Sequence, residues 1–433
     1  MQSAISFVMS VITFISSFLG LTPAEPVMPA STEDFVPVVR FLACSDTHVR
    51  ENYEESFRAG RIVKLFNVAY ELAEQDEYYQ KLDAAMFVGD CTNSGTDKEF
   101  EIFADEINRG KKEGTQILAV AADNHDGYAG AAALEKISSI TGLGSDFHIV
   151  INGFHFIGIS AAKKGVGRYT PAQRTWLKNE LDKAKADDPG KPVFVCNHEH
   201  VLGTVYGSSI VDSWGTAYFK DILKNYPQVV HFSGHSHYPL NDPRSVVQCG
   251  FTAVGTGSMN YAEFTYGLKN KIHPAGNEKL AQAWIVEADK DNNVRLTGID
   301  TNTAAILCRY VVPAVCEKSE RVFTKNNMKL LSSAPAFDAD AALEIEPNGD
   351  GTFTVTAPAA KSTDGMVVFA HTVKVFNKAG IKTHSEYAIY DYFISDSSEY
   401  VSFTVKAEEG YKVELTAENA YGMFSAPLSA VIG

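Results

Sequence analysis

Gly234-His235-Ser236-His237 closes a run of β-type residues, Val229-Val230-His231-Phe232-Ser233, and so sets two imidazoles two residues apart. At a strand end such a pair can turn toward one region of space, and a neutral His nitrogen is the commonest protein ligand for a divalent metal. Alone the run is weak evidence, because two solvated His at a strand terminus leave the same letters. Four earlier runs strengthen it: Asp46-Thr47-His48, Gly89-Asp90, Asn124-His125-Asp126 and Asn197-His198 each follow an apolar stretch. Asp46, His48, Asp90, Asn124, His198, His235 and His237 together offer three carboxylate or amide oxygens and four imidazoles. That is about what two adjacent divalent ions need when one carboxylate is shared and waters complete the shells.

The elements that must position these groups alternate between strand and helix. Residues 38–44 read as a buried strand, and 57–72 as a helix with Ile62, Leu65, Phe66, Ala69 and Leu72 at helical spacing. A strand over 84–88, a helix over 98–109 with Phe100, Phe103 and Ile107 inward, and a strand over 117–121 follow. Asn152-Gly153 between 147–152 and 154–159 is a hairpin signal. Thr170 as N-cap and Pro171 at the first position open a helix over 171–186. A strand at 193–196, a helix at 214–225 and a strand at 229–232 come next, then strands at 251–254, 281–288 and 294–299. Each ligand-bearing run falls at a strand end, where layered α/β folds build sites. The pattern implies two stacked sheets flanked by helices, an α-β-β-α arrangement.

Periodicity weakens over 313–340, and 316–338 reads as a linker. The rest, 339–433, is β-like, with strands expected at 352–356, 366–376, 387–393, 401–405 and 411–417. Short strands with turns at this spacing suggest an all-β sandwich of about 100 residues. No metal or nucleophile constellation occurs in it, which favours a spacer or binding role, including cell-surface or glycan attachment.

The 433-residue chain is long enough for two cores, and 45% hydrophobic with 21% charged residues argues against a large disordered fraction. A net charge of −15 with no Lys/Arg cluster argues against a nucleic-acid backbone as partner, while a small phosphate ester remains compatible because metal ions supply positive charge locally. Residues 5–21 are apolar or small, and no Lys or Arg precedes Arg40. Within 1–30 this fits an export signal, an uncleaved anchor or a buried helix, and the first implies an extracellular or cell-surface protein. Cys44, Cys91 and Cys196 sit in or beside strand-like runs as core residues. Cys308 and Cys316 are near enough in sequence to bridge after export, which spacing alone does not show.

The ordered set D-x-H, G-D, N-H-D, a later His and G-H-x-H, running from about Arg40 to Gly257, resembles the calcineurin-like metallophosphoesterases. The resemblance implies a four-layer α-β-β-α domain, given the bounds 38–315, that hydrolyses a small phosphomonoester or phosphodiester by attack of a metal-bound hydroxide. It implies that Asp46, His48 and His237 hold one metal, that Asn124, His198 and His235 hold another, and that Asp90 bridges both. Two divalent ions such as Mn, Fe or Zn would be the cofactors. His125 would face the substrate and assist the leaving group, with Asp126 orienting its ring. The closing run Tyr411 to Gly422 looks like the last strands of a fibronectin type III domain, an immunoglobulin-like sandwich.

Two positions depart from the family pattern. Asp123 stands where Gly is usual, and reads as a solvated loop residue, a partner beside the metals or a sign of altered activity. Asn93 stands where purple acid phosphatases place a metal-binding Tyr, which argues against an iron(III) phenolate centre. His200, Tyr206 and the 255–261 stretch are either pocket-lining or packing residues. His148, His155, His231, His273, His371 and His384 lack ligand spacing and read as structural or solvent-facing. The competing reading is a surface binding or scaffold protein that keeps this fold without turnover; the complete ligand set weighs against it.

Overall fold

The computed structural model describes residues 25–31, 34–52, 58–161, 169–208, 215–266, 269–313 and 318–433. The export segment expected over 5–21, Trp214 and Cys316 lie outside them. Among the described residues no helix is long and apolar enough to cross a membrane.

Two six-stranded sheets stack face to face. The first runs Ala305–Pro313, Asn293–Asp300, Gln282–Asp289, Pro37–Cys44, Ala84–Val88, Gln116–Val120, parallel only across its last three strands. The second runs Val246–Gln248, Thr252–Gly255, Val229–Ser233, Val193–Cys196, Phe154–Gly158, Phe147–Ile151, with antiparallel strands only at its two edges. Strands buried on both faces must be apolar throughout, as Val193–Cys196 and Ala84–Val88 are. Phe41 from the first sheet packs edge-on against Phe156, Phe194 and Phe232 of the second. Helices Arg61–Glu74 and Asp97–Gly110 cover the outer face of the first sheet, and Pro171–Asp187 that of the second. The domain is thus an α-β-β-α sandwich.

The local signals explain the helix starts. Thr170 and Gln173 form a reciprocal capping box before Pro171, and Thr96 and Glu99 another. Asn152 and Gly153 both adopt left-handed φ, 51° and 79°, as the tight hairpin requires. The helix expected over 214–225 is only Lys220–Leu223. Gly215–Thr216 instead pairs with His200–Val201 as a short ladder, and a chain held in that extended form cannot start a helical turn.

The stretch expected to be a linker is packed structure over 318–338. Helix Lys325–Leu331 places Met328, with Val322 and Phe323, in the core between the sheets. Asn327 exchanges two hydrogen bonds with the backbone of Val27, at 2.7 and 2.9 Å.

Beyond it lie two antiparallel sheets, Glu344–Pro347, Thr352–Pro358, Tyr400–Lys406 and Lys382–Ile389, Val368–Phe376, Lys412–Asn419, Leu428–Val431. Val355, Val373, Val375, Phe403, Val405, Val413 and Leu415 fill the space between them. The strand expected at 387–393 is Lys382–Ile389, and Tyr392 and Phe393 turn inward against the α-β-β-α domain. There they join Tyr238, Phe264 and Phe369 in one apolar cluster. The Arg244 guanidinium lies over the rings of Tyr206 and Phe369, 3.8 and 4.7 Å from their centroids.

Candidate metal centre

The C-terminal ends of the parallel strands in both sheets meet along one rim. Pro37–Cys44 delivers Asp46 and His48, Ala84–Val88 delivers Asp90, and Gln116–Val120 delivers Asn124 and His125. From the second sheet, Val193–Cys196 delivers His198, and Val229–Ser233 delivers His235 and His237. The loops are laced together by backbone bonds: Asp46 N–H donates to Gly89 O, His48 N–H to Asp90 O, and Gly234 N–H to His198 O, at 2.8–3.0 Å.

Two glycines in these runs are required sterically. A Cβ on Gly234 would stand 2.5 Å from Asp46 Oδ2, and one on Gly89 2.6 Å from His198 Nδ1. Asp46, His48, Asp90, His235 and His237 all hold left-handed φ, between 44° and 72°. Non-glycine residues rarely do so, and each costs on the order of 1–3 kcal/mol. The strain turns side chains from different strands onto one point.

His237 Nε2 lies 3.1 Å from Asp46 Oδ1 and 3.1 Å from His48 Nε2. His198 Nε2 lies 3.1 Å from Asp90 Oδ2, and His48 Nε2 is 3.9 Å from that same oxygen. Asn124 Nδ2 is 3.4 Å from His235 Nδ1. Ligand atoms of Asp46, His48 and His237 lie within 4.8 Å of one another, as do those of Asp90, His198 and His235, and of His48, Asp90 and His125. Asp90 thus belongs to two of these three groups, and His48 links it to the third. Burial would raise the Asp46 carboxyl, but His237 and His198 beside it hold it well below the usual carboxylate range.

The rings are held from behind. His198 Nδ1–H donates to Val88 O at 2.8 Å and His237 Nδ1–H to Tyr261 O at 3.2 Å, which leaves each Nε2 as the free lone pair. Asp46 Oδ2 accepts from His235 N–H and from the Ser45 hydroxyl, leaving Oδ1. Asp46 Oδ1, Asp90 Oδ2, Asn124 Oδ1 and His198 Nε2 are buried with no hydrogen-bond partner. Buried polar atoms are almost always satisfied. Four unsatisfied oxygen and imidazole donors converging in one pocket fit two divalent cations, and the mixed N/O set suits Mn, Fe or Zn alike.

His125 is half-buried; its ring centroid is 4.4 Å from that of His48, and its Nδ1–H donates to Asn93 O at 2.7 Å. Its Nε2 is left for a ligand. Asp126 does not orient that ring. Its carboxylate accepts from Cys91 N–H, Ala122 N–H, Thr92 N–H and the Thr92 hydroxyl, at 2.7–3.2 Å, and so ties the Asp90 loop to the Asn124 loop. Asp123 is buried, which removes the solvated reading.

His200 is a packing residue: its ring nitrogens meet the Ser233 and Ser236 hydroxyls, and burial lowers its pKa to about 3. Tyr206 packs on Tyr238 with its hydroxyl on Thr265 O, and neither partner is a candidate ligand. Tyr261 from the 255–261 stretch is at the site, with its ring 4.1 Å from that of His237. His231 and Asn197 form a buried pair at 2.6 Å beneath His198. Arg50 is a rim residue that sequence reasoning passed over; its Nε donates to Asn93 Oδ1 at 3.2 Å, on the residue that also holds His125. Its position two residues after His48 was the available signal.

No curated protein matches the chain by sequence. Among solved structures it is similar to GAP50, the anchor in the inner membrane complex of Plasmodium, with 12% identity over 67% of this chain and 93% of that one and a TM-score of 0.43. It is also similar to purple acid phosphatase PPD1 from yellow lupin (Lupinus luteus) seeds, with 14% identity over 68% of this chain and 57% of that one and a TM-score of 0.46. At such values neither similarity bears on function. A family model described as calcineurin-like phosphoesterase matches residues 39–239, a span that contains every strand-end loop of the centre. Residues 39–239 are therefore a calcineurin-like phosphoesterase domain.

Proposed function

We propose that this protein is a dinuclear metal-dependent phosphoesterase acting on a small phosphomonoester or phosphodiester. The observation that carries the reading is the convergence of seven ligand side chains from five strand-end loops with four of their buried donor atoms unpartnered. Asp46, His48 and His237 would hold one ion, Asn124, His198 and His235 the other, and Asp90 would bridge them. When bound, such a pair lowers the pKa of water toward ~7 and neutralises phosphoryl oxygens.

The chain's own residues do the rest. Two dications would bring four positive charges against the two ligand carboxylates, Asp46 and Asp90, which favours an anionic ester at the ions despite a net charge of −15. The Asn93 carbonyl accepts from His125 Nδ1–H, and the ring in its doubly protonated, imidazolium form would give its Nε2 proton to a leaving alkoxide; acid catalysis of this kind contributes ~10² to 10⁴ in rate. Arg50 at the rim adds a cation for a phosphate oxygen. Export rests on the apolar 5–21 stretch, and a fibronectin type III likeness of the C-terminal sheets on the 411–422 run.

Purified protein should contain about two metals per chain and hydrolyse an aryl phosphomonoester or diester in a chelator-sensitive way. Asp90→Ala should abolish turnover with the fold retained. Wild-type protein that stays inactive after Mn, Fe or Zn is restored, or an Asp90→Ala variant with full activity, would overturn the proposal; the first result favours a binding or scaffold role.

A further inference from the structure

A cleft of about 1030 Å³ opens in the C-terminal part, and no candidate metal ligand lines it. It lies between strands Lys382–Ile389 and Tyr400–Lys406, each the outermost strand of its sheet. Ile272, Pro274 and Ala275 of the phosphoesterase half supply a further wall. Its size is that of a small-ligand site.

The lining chemistry restricts the ligand. Tyr387, Tyr390 and Tyr400 contribute rings, Glu386 and Asp391 carboxylates, and among the described residues no lining residue is Lys or Arg. A phosphate ester, the substrate class proposed for the metal centre, would meet two carboxylates and no cation among the described lining residues. His371, in the wall, is 1% exposed. Ala360 N–H donates to its Nε2 at 3.2 Å, so the ring proton sits on Nδ1, and that N–H has no acceptor. An unanswered buried donor is costly enough that natural proteins rarely keep one.

The rings are set in advance. The Tyr390 hydroxyl is tied to Ser398 O, and Ser398 is clamped to Asp391 by its N–H at 3.0 Å and its hydroxyl at 2.7 Å. The Tyr390 ring meets His371 edge-on at 5.3 Å. Tyr400 is 60% exposed at the mouth with its ring open to solvent. Aromatic faces with hydroxyl, carboxylate and imidazole N–H groups around them, and no positive charge among the described lining residues, match an uncharged polyol. A pyranose offers an apolar C–H face for stacking and hydroxyls that both accept and donate.

We propose that this cleft binds a neutral oligosaccharide, stacked on Tyr390 and Tyr400, with a sugar oxygen accepting from His371 Nδ1–H. The competing occupant is an extended peptide added to the Lys382–Ile389 edge. Its backbone would pair with the strand and leave the His371 donor unanswered.

The test uses the full chain and cellohexaose, xylohexaose, mannohexaose and chitohexaose, each titrated calorimetrically. Saturable binding to at least one, weakened tenfold or more by Tyr400→Ala and by Glu386→Gln, supports the inference. Both sites are exposed, so both variants should keep wild-type thermal stability and aryl phosphate hydrolysis. No binding to any of the four at millimolar concentration overturns it, as does binding that Tyr400→Ala leaves unchanged, or capture of an extended β-forming peptide in place of sugar. Hydrolysis is read separately, so failure of the sugar site leaves the phosphoesterase proposal standing.

Discussion

Stripping metal from the protein should destabilise it strongly, and the size follows from the site. Asp46 Oδ1, Asp90 Oδ2, Asn124 Oδ1 and His198 Nε2 are buried without partners. Each such atom costs about 1–3 kcal/mol, or roughly 4–12 kcal/mol together, which two bound cations would relieve. Protonation softens the loss in the stripped protein, because His198 Nε2 and Asp90 Oδ2, and likewise His237 Nε2 and Asp46 Oδ1, stand 3.1 Å apart and can share a proton. The lower end, about 4 kcal/mol, is therefore expected. At roughly 2–4 °C per kcal/mol for a domain of this size, Tm should fall by about 10 °C. The assay is calorimetric unfolding of holo protein, of protein dialysed against chelator with metal content verified, and of the same sample after Mn, Fe or Zn is restored. Backbone amides at Asp46, His48, Asp90, His235 and His237 should also exchange faster in the stripped form, because bonds to the proposed ions would help hold their left-handed conformations. A verified metal-free protein with Tm within about 2 °C of the holo form refutes the reasoning that these atoms and this strain are matched to ions.

Three further outcomes are expected. Asp126→Asn turns one acceptor oxygen into a donor facing backbone N–H groups, those of Cys91 and Ala122 if Oδ2 is replaced; about 2–6 kcal/mol should be lost in urea unfolding as well as activity, and loss of turnover alone would return Asp126 to orienting His125. Gln282→Ala removes the side chain that accepts from Leu240 N–H and donates to Asn241 Oδ1 and Phe393 O; thermal unfolding should show a cost of about 1–3 kcal/mol per group left unanswered, and elemental analysis a lower metal content. His371 has its pKa lowered by burial from 6.5 to about 4, with the Asp391 carboxylate acting weakly the other way. The neutral ring is favoured in the fold, so its contribution is complete above pH 6.5 and is lost as pH falls toward 4. That is about 3 kcal/mol at most, read as faster amide exchange in Val368–Phe376 at pH 4.5 than at pH 7 after correction for intrinsic rates, and His371→Phe should flatten the difference.

The convergence of the candidate ligands was legible because it is written in residue types: strand-end Asp, Asn and His carry their chemistry in the letters, and the apolar runs before them fix which end they occupy. The hairpin at Asn152-Gly153 and the cap at Thr170-Pro171 were legible for the same reason, since each depends on residues within a few positions. Asp126 was misread because three of its four bonds come from Cys91 and Thr92, and no local pattern encodes a bond spanning 34 or 35 residues. Residues 214–225 look helical by composition, but pairing of Gly215–Thr216 with His200–Val201 overrides propensity. The 316–338 stretch read as a linker because one short helix with Val322, Phe323 and Met328 inward carries too few apolar positions to show a period, although all three complete a distant core. Left-handed φ at five ligands was invisible, because Asp and His carry no such preference strong enough to declare it.

The C-terminal sheets are better understood as part of the site's support than as an appended spacer. Tyr238 follows His237 directly, and its ring lies in the cluster with Phe369, Tyr392 and Phe393. Asn241 Nδ2 donates to Tyr392 O at 2.9 Å, and the Tyr392 hydroxyl donates to Asp242 Oδ2 at 3.0 Å. Asp242 in turn accepts from both Nε and a terminal nitrogen of Arg244, whose plane is stacked on Tyr206 and Phe369. Residues 238–244 thus have the metal loop at one end and the C-terminal sheets along their length. His237 holds a left-handed φ of 57° and is not strained for free. A loop can be kept in that conformation only if its neighbours leave it nowhere else to go, and the residues after His237 are fixed in part by residues more than 100 positions further along the chain.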